Sequence, residues 1–263
     1  MRLASQLGTV IMMGSIAVGG CSADDGAPVR VDEEIRGGQV APDSNGVGLL
    51  WLLDGGTCSG TLVTPDVVLT AGHCITSHVG GFLTGVGGPL PEGADPRDNG
   101  MTLYRVNDYV RYDDGSRTFL PDVAVVHLAT PVPAGDMTPI PRSRTRVPNG
   151  TTCTTVGYGR DDAGVAGARR QATVTVTDFT AIAYVASGID GQIDLGDSGG
   201  GLFCNGELVA ATWARSANAV WPENKRAAFA RIDVVQLWID GKIASWSNVT
   251  RWPPSNPLPT GER

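Results

Sequence analysis

The stretch Val67-Val68-Leu69-Thr70-Ala71-Gly72-His73-Cys74 opens on four apolar or β-branched residues and breaks at a glycine. A run that short, bounded by turn residues, reads as a buried strand rather than a helix. Runs of the same kind recur at 48–53, 60–63, 103–110, 123–128, 151–156, 172–177, 201–203, 208–213 and 227–232, with Gly, Pro, Asn and Asp between them. This spacing predicts an all-β sandwich or barrel. One segment departs from it. In 233–246, Val234, Leu237, Trp238 and Ile243 fall at helical spacing behind Asp233 as N-cap, so a C-terminal helix is expected. Residues 85–100 read as a surface loop. Its Glu92, Asp95 and Asp98 lack a calcium-loop spacing, and no metal or other cofactor is expected.

The composition supports this reading and excludes others. Of 263 residues 36 are Gly and only 6% are aromatic, which suits many turns and short strands. With 20 basic against 27 acidic residues the net charge is −7. An acidic surface repels phosphate backbones, so nucleic acid is not an expected partner. No apolar run reaches the roughly 18 residues of a membrane-spanning helix.

Residues 1–21 read as an export signal: Arg2, then an apolar stretch over 7–18, then Gly19 and Gly20. The tetrad Val18-Gly19-Gly20-Cys21 resembles the lipobox of bacterial lipoproteins, which implies acylation of Cys21. That lipid would be the chain's one link to a membrane, and the protein is expected to be secreted or held at the cell envelope. Residues 22–34 are polar and acidic, a tether or pro-segment unable to order itself. Residues 251–263, with four prolines, read as an extended tail.

The chemistry centres on Gly196-Asp197-Ser198-Gly199-Gly200. Glycines around a serine let the backbone turn tightly and aim successive N–H groups at one point, where a negative oxygen can be held. A nucleophilic serine needs a base, and the base needs an orienting group. Of the three histidines, His127 lies within a strand and His78 in a loop with no partner in view. His73 sits at a buried strand's end beside a cysteine, and is the expected base. Asp122 precedes the apolar run Val123-Ala124-Val125-Val126, where its carboxylate can lie at a strand's inner edge.

Thr70-Ala71-Gly72-His73-Cys74, Asp122-Val123-Ala124-Val125-Val126 and Gly196-Asp197-Ser198-Gly199-Gly200, in that order, resemble the trypsin/chymotrypsin family of serine proteases. Ile35-Arg36-Gly37-Gly38, Val156-Gly157-Tyr158-Gly159, Thr212-Trp213 and Trp238-Ile239 extend the resemblance over residues 35–246. It implies two packed six-stranded β-barrels, about 35–145 and 146–232, followed by the helix, within a protease domain of 35–250. It further implies a His73-Asp122-Ser198 triad, an oxyanion hole of the Gly196 and Ser198 N–H groups, protein or peptide substrates and a monomer. The order His…Asp…Ser does not fit an α/β-hydrolase, whose order is Ser…Asp…His. A binding protein on the same scaffold is opposed by the complete set of three residues.

Five cysteines leave one over in an exported chain. With Cys21 lipidated, four remain, and spacing alone allows three pairings. The resemblance selects Cys58–Cys74 and Cys153–Cys204. It also implies a zymogen, in which cleavage frees the Ile35 amine to pair with Asp197. Glu34 rather than Arg or Lys precedes Ile35, so a separate activating protease tolerant of Glu is expected. For the substrate pocket the alignment of motifs points to Gln192 near the floor, Ala214 at the mouth and Ala227 near the base, with Ile193, Thr212 and Trp213 also counted to the pocket. A neutral floor and added methyl groups favour small or medium apolar P1 residues.

Overall fold

The computed structural model describes residues 35, 38–41, 46–76, 78–91, 94–115, 120–161, 163–215 and 226–247. The signal, the tether, Arg36 and the tail therefore lie outside the described residues. Strands β1 (Gln39–Val40), β2 (Val47–Leu52), β3 (Thr57–Thr64), β4 (Val67–Thr70), β5 (Val79–Thr84), β6 (Gly87–Leu90), β7 (Thr102–Tyr104), β8 (Val106–Arg111) and β9 (Ala124–Leu128) come first. Then follow β10 (Thr152–Gly157), β11 (Ala166–Ala168), β12 (Arg170–Phe179), β13 (Ala183–Gly188), β14 (Gly201–Cys204), β15 (Glu207–Arg215), β16 (Arg226–Arg231) and the helix α1 (Gln236–Ser247).

Two large antiparallel sheets carry the fold. The second runs β1-β12-β10-β14-β15-β16-β13, and an additional β12–β13 pairing closes six of its strands into a barrel. The first runs β7-β5-β2-β3-β4-β9-β8. It is a half-barrel in its pairing, because its edge strands β7 and β8 do not pair. They are consecutive in the chain, with Arg105 alone between them. The expected all-β, chymotrypsin-like architecture with a C-terminal helix holds, with this difference in how the first barrel closes.

Alternation within the strands explains why the sheets dock where they do. In β4, Val68 faces the interior of the first sheet with Leu50, Leu62 and Phe82. Its neighbours Val67 and Leu69 face the other way, into a layer shared with Leu208, Ala211, Ala230 and the helix residue Ile239. β9 behaves alike, with Val126 and Leu128 inside and Val125 in the shared layer. Strands buried on both faces lose the polar half of the period-2 pattern, hence the unbroken apolar runs in the sequence.

Three local expectations are corrected. Asp233 does not cap a helix. It lies in a 3₁₀ turn, Asp233–Val235, and its carboxylate instead accepts from Arg231 Nε at 3.0 Å and Nη2 at 2.5 Å. Val234 and Leu237 are not on the buried face, being 43% and 88% exposed, whereas Val235 and Ile239 are buried. The 3₁₀ turn shifts the angular phase, so a single helical register from residue 233 misplaces them. The span 85–100 is not wholly loop, for it contains β6, which pairs with β11 of the other half of the chain.

Candidate active site

The register of β4 against β9 brings the first two site residues together. Thr70 lies opposite Ala124 in an antiparallel pair, so the chain leaving β4 runs alongside the chain entering β9. His73 is three residues past that point and Asp122 two residues before it. Asp122 accepts two hydrogen bonds from His73, from the backbone N at 2.9 Å and from ring Nδ1 at 2.5 Å. Its side chain is 6% exposed, against 43% for the imidazole. Arg111 Nη2 stands further off at 3.9 Å. A carboxylate on Nδ1 places the ring proton there and leaves the Nε2 lone pair free to act as a base. A Cβ on Gly72 would come within 2.8 Å of Asp122 Oδ1, so the glycine of Thr70-Ala71-Gly72-His73 makes room for the carboxylate.

The Cys58–Cys74 disulfide ties the turn carrying His73 to β3, and Cys153–Cys204 joins β10 to β14. Both implied pairings are present.

The second sheet delivers Ser198 in the turn before β14. Gly199 has φ +80°, and a Cβ there would stand 2.0 Å from Thr70 Oγ1 and 2.4 Å from the Ser59 carbonyl oxygen. Only glycine lets the turn approach the first sheet this closely. Within the turn the N–H groups of Asp197, Gly199 and Gly200 donate to Asp194 O, Thr212 O and Asp197 O. Those of Gly196 and Ser198 have no acceptor among the described residues. Ser198, His73 and Gly196 line one cleft of about 520 Å³, whose walls include Leu90, Ala166 and Leu195.

Asp197 is buried beneath this turn. Its Oδ1 accepts from Gly159 N and its Oδ2 from Asp194 N, each at 2.8 Å. Its carboxylate fills the places where Gly157 and Gly159 would carry side chains, at 2.3 Å and 2.4 Å from their hypothetical Cβ atoms. That accounts for both glycines of Val156-Gly157-Tyr158-Gly159. Burial pushes the Asp197 carboxyl up to about 7. The N–H groups of Asp194 and Gly159 and the charge of Arg170 act against the rise, and the neighbouring Asp194 adds to it. Replacement Gly159→Ala is expected to displace the carboxylate, lowering kcat by at least tenfold and Tm by several degrees, as measured by peptide turnover and calorimetry.

The remaining sequence-derived residues scatter around the site. Ile35 is fully buried, and its φ of +30° is one that β-branched residues rarely adopt. Ile193 and Ala227 pack together in the second barrel's core. Thr212 is buried, Trp213 and Gln192 are partly buried, and Ala214 is exposed. None of these seven lines the cleft around His73, and residues 216–225, between β15 and β16, lie outside the described residues. Asp194 is folded into its own loop, accepting from Leu195 N at 2.7 Å. One contributor escaped the sequence reading altogether. Ser59 has no motif around it, yet it contacts both residues of the expected oxyanion hole.

The family model described as Trypsin matches residues 35–239. The chain belongs to the trypsin family. This trypsin-family serine protease, acting on protein or peptide substrates, is 33% identical over 248 residues to human Serine protease 56, covering 83% of the chain but only 40% of that protein. It is 27% identical to rat Chymotrypsin-C, covering 90% of the chain and 99% of the relative. Among solved structures, human heparin binding protein superposes with a TM-score of 0.64 at 20% identity over 84% of the chain and 99% of that structure. Neuropsin from mouse brain gives the same score and identity over 78% and 98%. Both likenesses bear on the fold of the protease alone.

Proposed function

We propose that the protein is an exported serine endopeptidase that cleaves through an acyl-enzyme, with His73, Asp122 and Ser198 as its triad. The observation that carries this reading is the His73–Asp122 pair beside Ser198 in one cleft, next to two N–H groups without acceptors among the described residues. His73 Nε2 takes the Ser198 proton as Oγ attacks the scissile carbonyl, and Asp122 stabilises the imidazolium. Gly196 N–H and Ser198 N–H hold the oxyanion. His73 then protonates the leaving amine, and water releases the acyl group by the same steps in reverse order of partners. A fluorophosphonate probe should label protein beginning at Ile35 and fail to label its Ser198→Ala variant; equal labelling of both would reject the triad.

We further propose a zymogen. A carboxyl pushed up to about 7 by burial is short of counter-charge, and an ammonium on Ile35 would supply it. Cleavage of Glu34–Ile35 by another protease creates that amine, and it removes the φ torsion of Ile35 altogether. In this scheme 1–21 directs export, Cys21 carries the lipid, 22–34 is the tether and 35–250 is the protease, with 251–263 a tail. Cleavage would thus also free the enzyme from its anchor. Among the described residues no helix is long and apolar enough to cross a membrane.

For specificity, Gln192 and Ala227 offer no negative charge to Lys or Arg, and the expected preference is for small or medium apolar P1 residues. A peptide-library profile should show Ala, Val or Leu at P1; enrichment of Arg or Lys would overturn this.

A further inference from the structure

We propose that Ser59 is a positioning residue for the oxyanion hole, its buried hydroxyl locking the Gly196–Asp197 peptide so that the Gly196 N–H points into the cleft. The proposal rests on the triad reading above and adds to it a residue on the opposite sheet.

Ser59 lies on β3 and is fully buried. Its hydroxyl donates to Gly196 O at 2.9 Å and accepts from Tyr158 N at 2.9 Å. Its backbone N donates to Ser198 O at 2.7 Å, and its carbonyl accepts from Thr70 Oγ1 at 2.8 Å. Each of its polar groups is therefore engaged. Both residues whose N–H groups form the hole are held by their carbonyl oxygens, from a position 137 residues away in sequence for Gly196.

The physical need for such a grip follows from glycine. Gly196 has φ +98° and no side chain to limit rotation of its flanking peptides. The Gly196–Asp197 plane sets ψ of Gly196, and the direction of its N–H depends on both torsions. A hole works only if its donors are fixed before charge develops. The turn's internal hydrogen bonds restrain Asp197, Gly199 and Gly200. Gly196 N–H takes no part in them. Its own peptide is held on the far side by Arg160 N–H, which donates to Leu195 O at 2.8 Å, and the Ser59 hydroxyl fixes the peptide that follows, so the two grips together bracket the glycine. Because that hydroxyl also caps Tyr158 N–H, it ties Gly196 to the Gly157-Tyr158-Gly159 segment that cradles Asp197.

The test compares, all in protein beginning at Ile35, wild type with Ser59→Ala and with Ser59→Cys, which keeps the shape but is a weak donor. The active fraction is first titrated with the fluorophosphonate probe, well below Tm. Loss of a whole oxyanion donor costs roughly 10²–10³ in turnover, so a misaimed one should lower kcat by roughly tenfold to a hundredfold. KM should change less than about threefold, with Ser59→Cys between Ser59→Ala and wild type. Affinity for a peptide aldehyde, whose adduct carries the oxyanion, should fall in parallel with kcat/KM. Should Ser59→Ala not fold, Ser59→Cys alone must show the paired loss in kcat and aldehyde affinity. A lowered Tm with kcat and aldehyde affinity unchanged in the folded fraction overturns the proposal, since Ser59 would then be seam packing only. Loss of labelling in wild type, or its survival in Ser198→Ala, would instead reject the triad itself.

Discussion

Ser198→Ala is expected to lower kcat/KM by roughly 10⁶, to the level the oxyanion hole and binding sustain alone. His73→Ala should cost about as much, because a hydroxyl with no base beside it is as inert as a methyl group. The double variant should be no worse than either single one. Such non-additivity is the signature of residues acting as a unit, and it separates a triad from two residues that merely share a cleft. Asp122→Asn belongs to the same series with a smaller loss, roughly 10⁴. The amide keeps the shape but reverses the hydrogen bond on Nδ1, favouring the tautomer whose Nε2 carries the proton. Losses that multiplied in the double variant, or a Ser198→Ala protein with more than a per cent of wild-type activity, would dismantle this mechanism.

The second large effect concerns Asp197. Protein beginning at Ile35 is expected to exceed the uncleaved chain in kcat/KM by roughly 10²–10³, the value of one oxyanion donor. A pH dependence accompanies it. In the uncleaved chain the Asp197 carboxyl is raised from 3.8 to about 7, so between those values the folded state holds a proton that the unfolded state has released. Its stabilising contribution is complete below about pH 4 and is lost as pH rises through about 7, a loss on the order of 4 kcal/mol. The charged groups facing it are Arg170 and Asp194. Once an ammonium sits beside Asp197 the carboxyl stays ionised and the slope vanishes. Denaturant midpoints at pH 5 and pH 8 should therefore differ for the uncleaved chain and agree for the cleaved one. Asp197→Asn in the uncleaved chain should flatten the profile without cleavage. Equal activities of the two forms would discard the switch and leave the triad untouched.

How far the sequence carried depended on whether a residue's constraint was local. β4 and β9 were legible because burial on both faces writes itself as an unbroken apolar run. β5 was missed since its Gly80-Gly81 pair reads as a turn. In the fold these glycines leave room for Trp51 and Leu103, whose atoms would stand 2.9 Å and 2.3 Å from added Cβ groups. The β6–β11 pairing went unread because it joins segments of weak pattern about 80 residues apart, with a shift in register. At the site, His73, Asp122 and Ser198 were legible as motifs; Gly72, Gly157 and Gly159 proved to make room for the carboxylates of Asp122 and Asp197, and Gly199 for the backbone of the opposite sheet. Ser59 was invisible because its role lies wholly in partners that are distant in sequence.

The split duty of β4 makes chain length, and not only residue type, a heritable requirement. Val67 and Leu69 serve the layer between the sheets while Val68 serves the interior of one. Deleting a single residue from the tight β3–β4 hairpin would exchange those faces and draw His73 back along the strand by about 3.3 Å, out of reach of Asp122. Changes in length here can survive only in pairs, or not at all. The span 94–100, which borders the cleft and ends in a glycine with open space around it, is under no such parity. New substrate contacts can accumulate there one residue at a time, so variation in length near this active site should fall on one rim and spare the other.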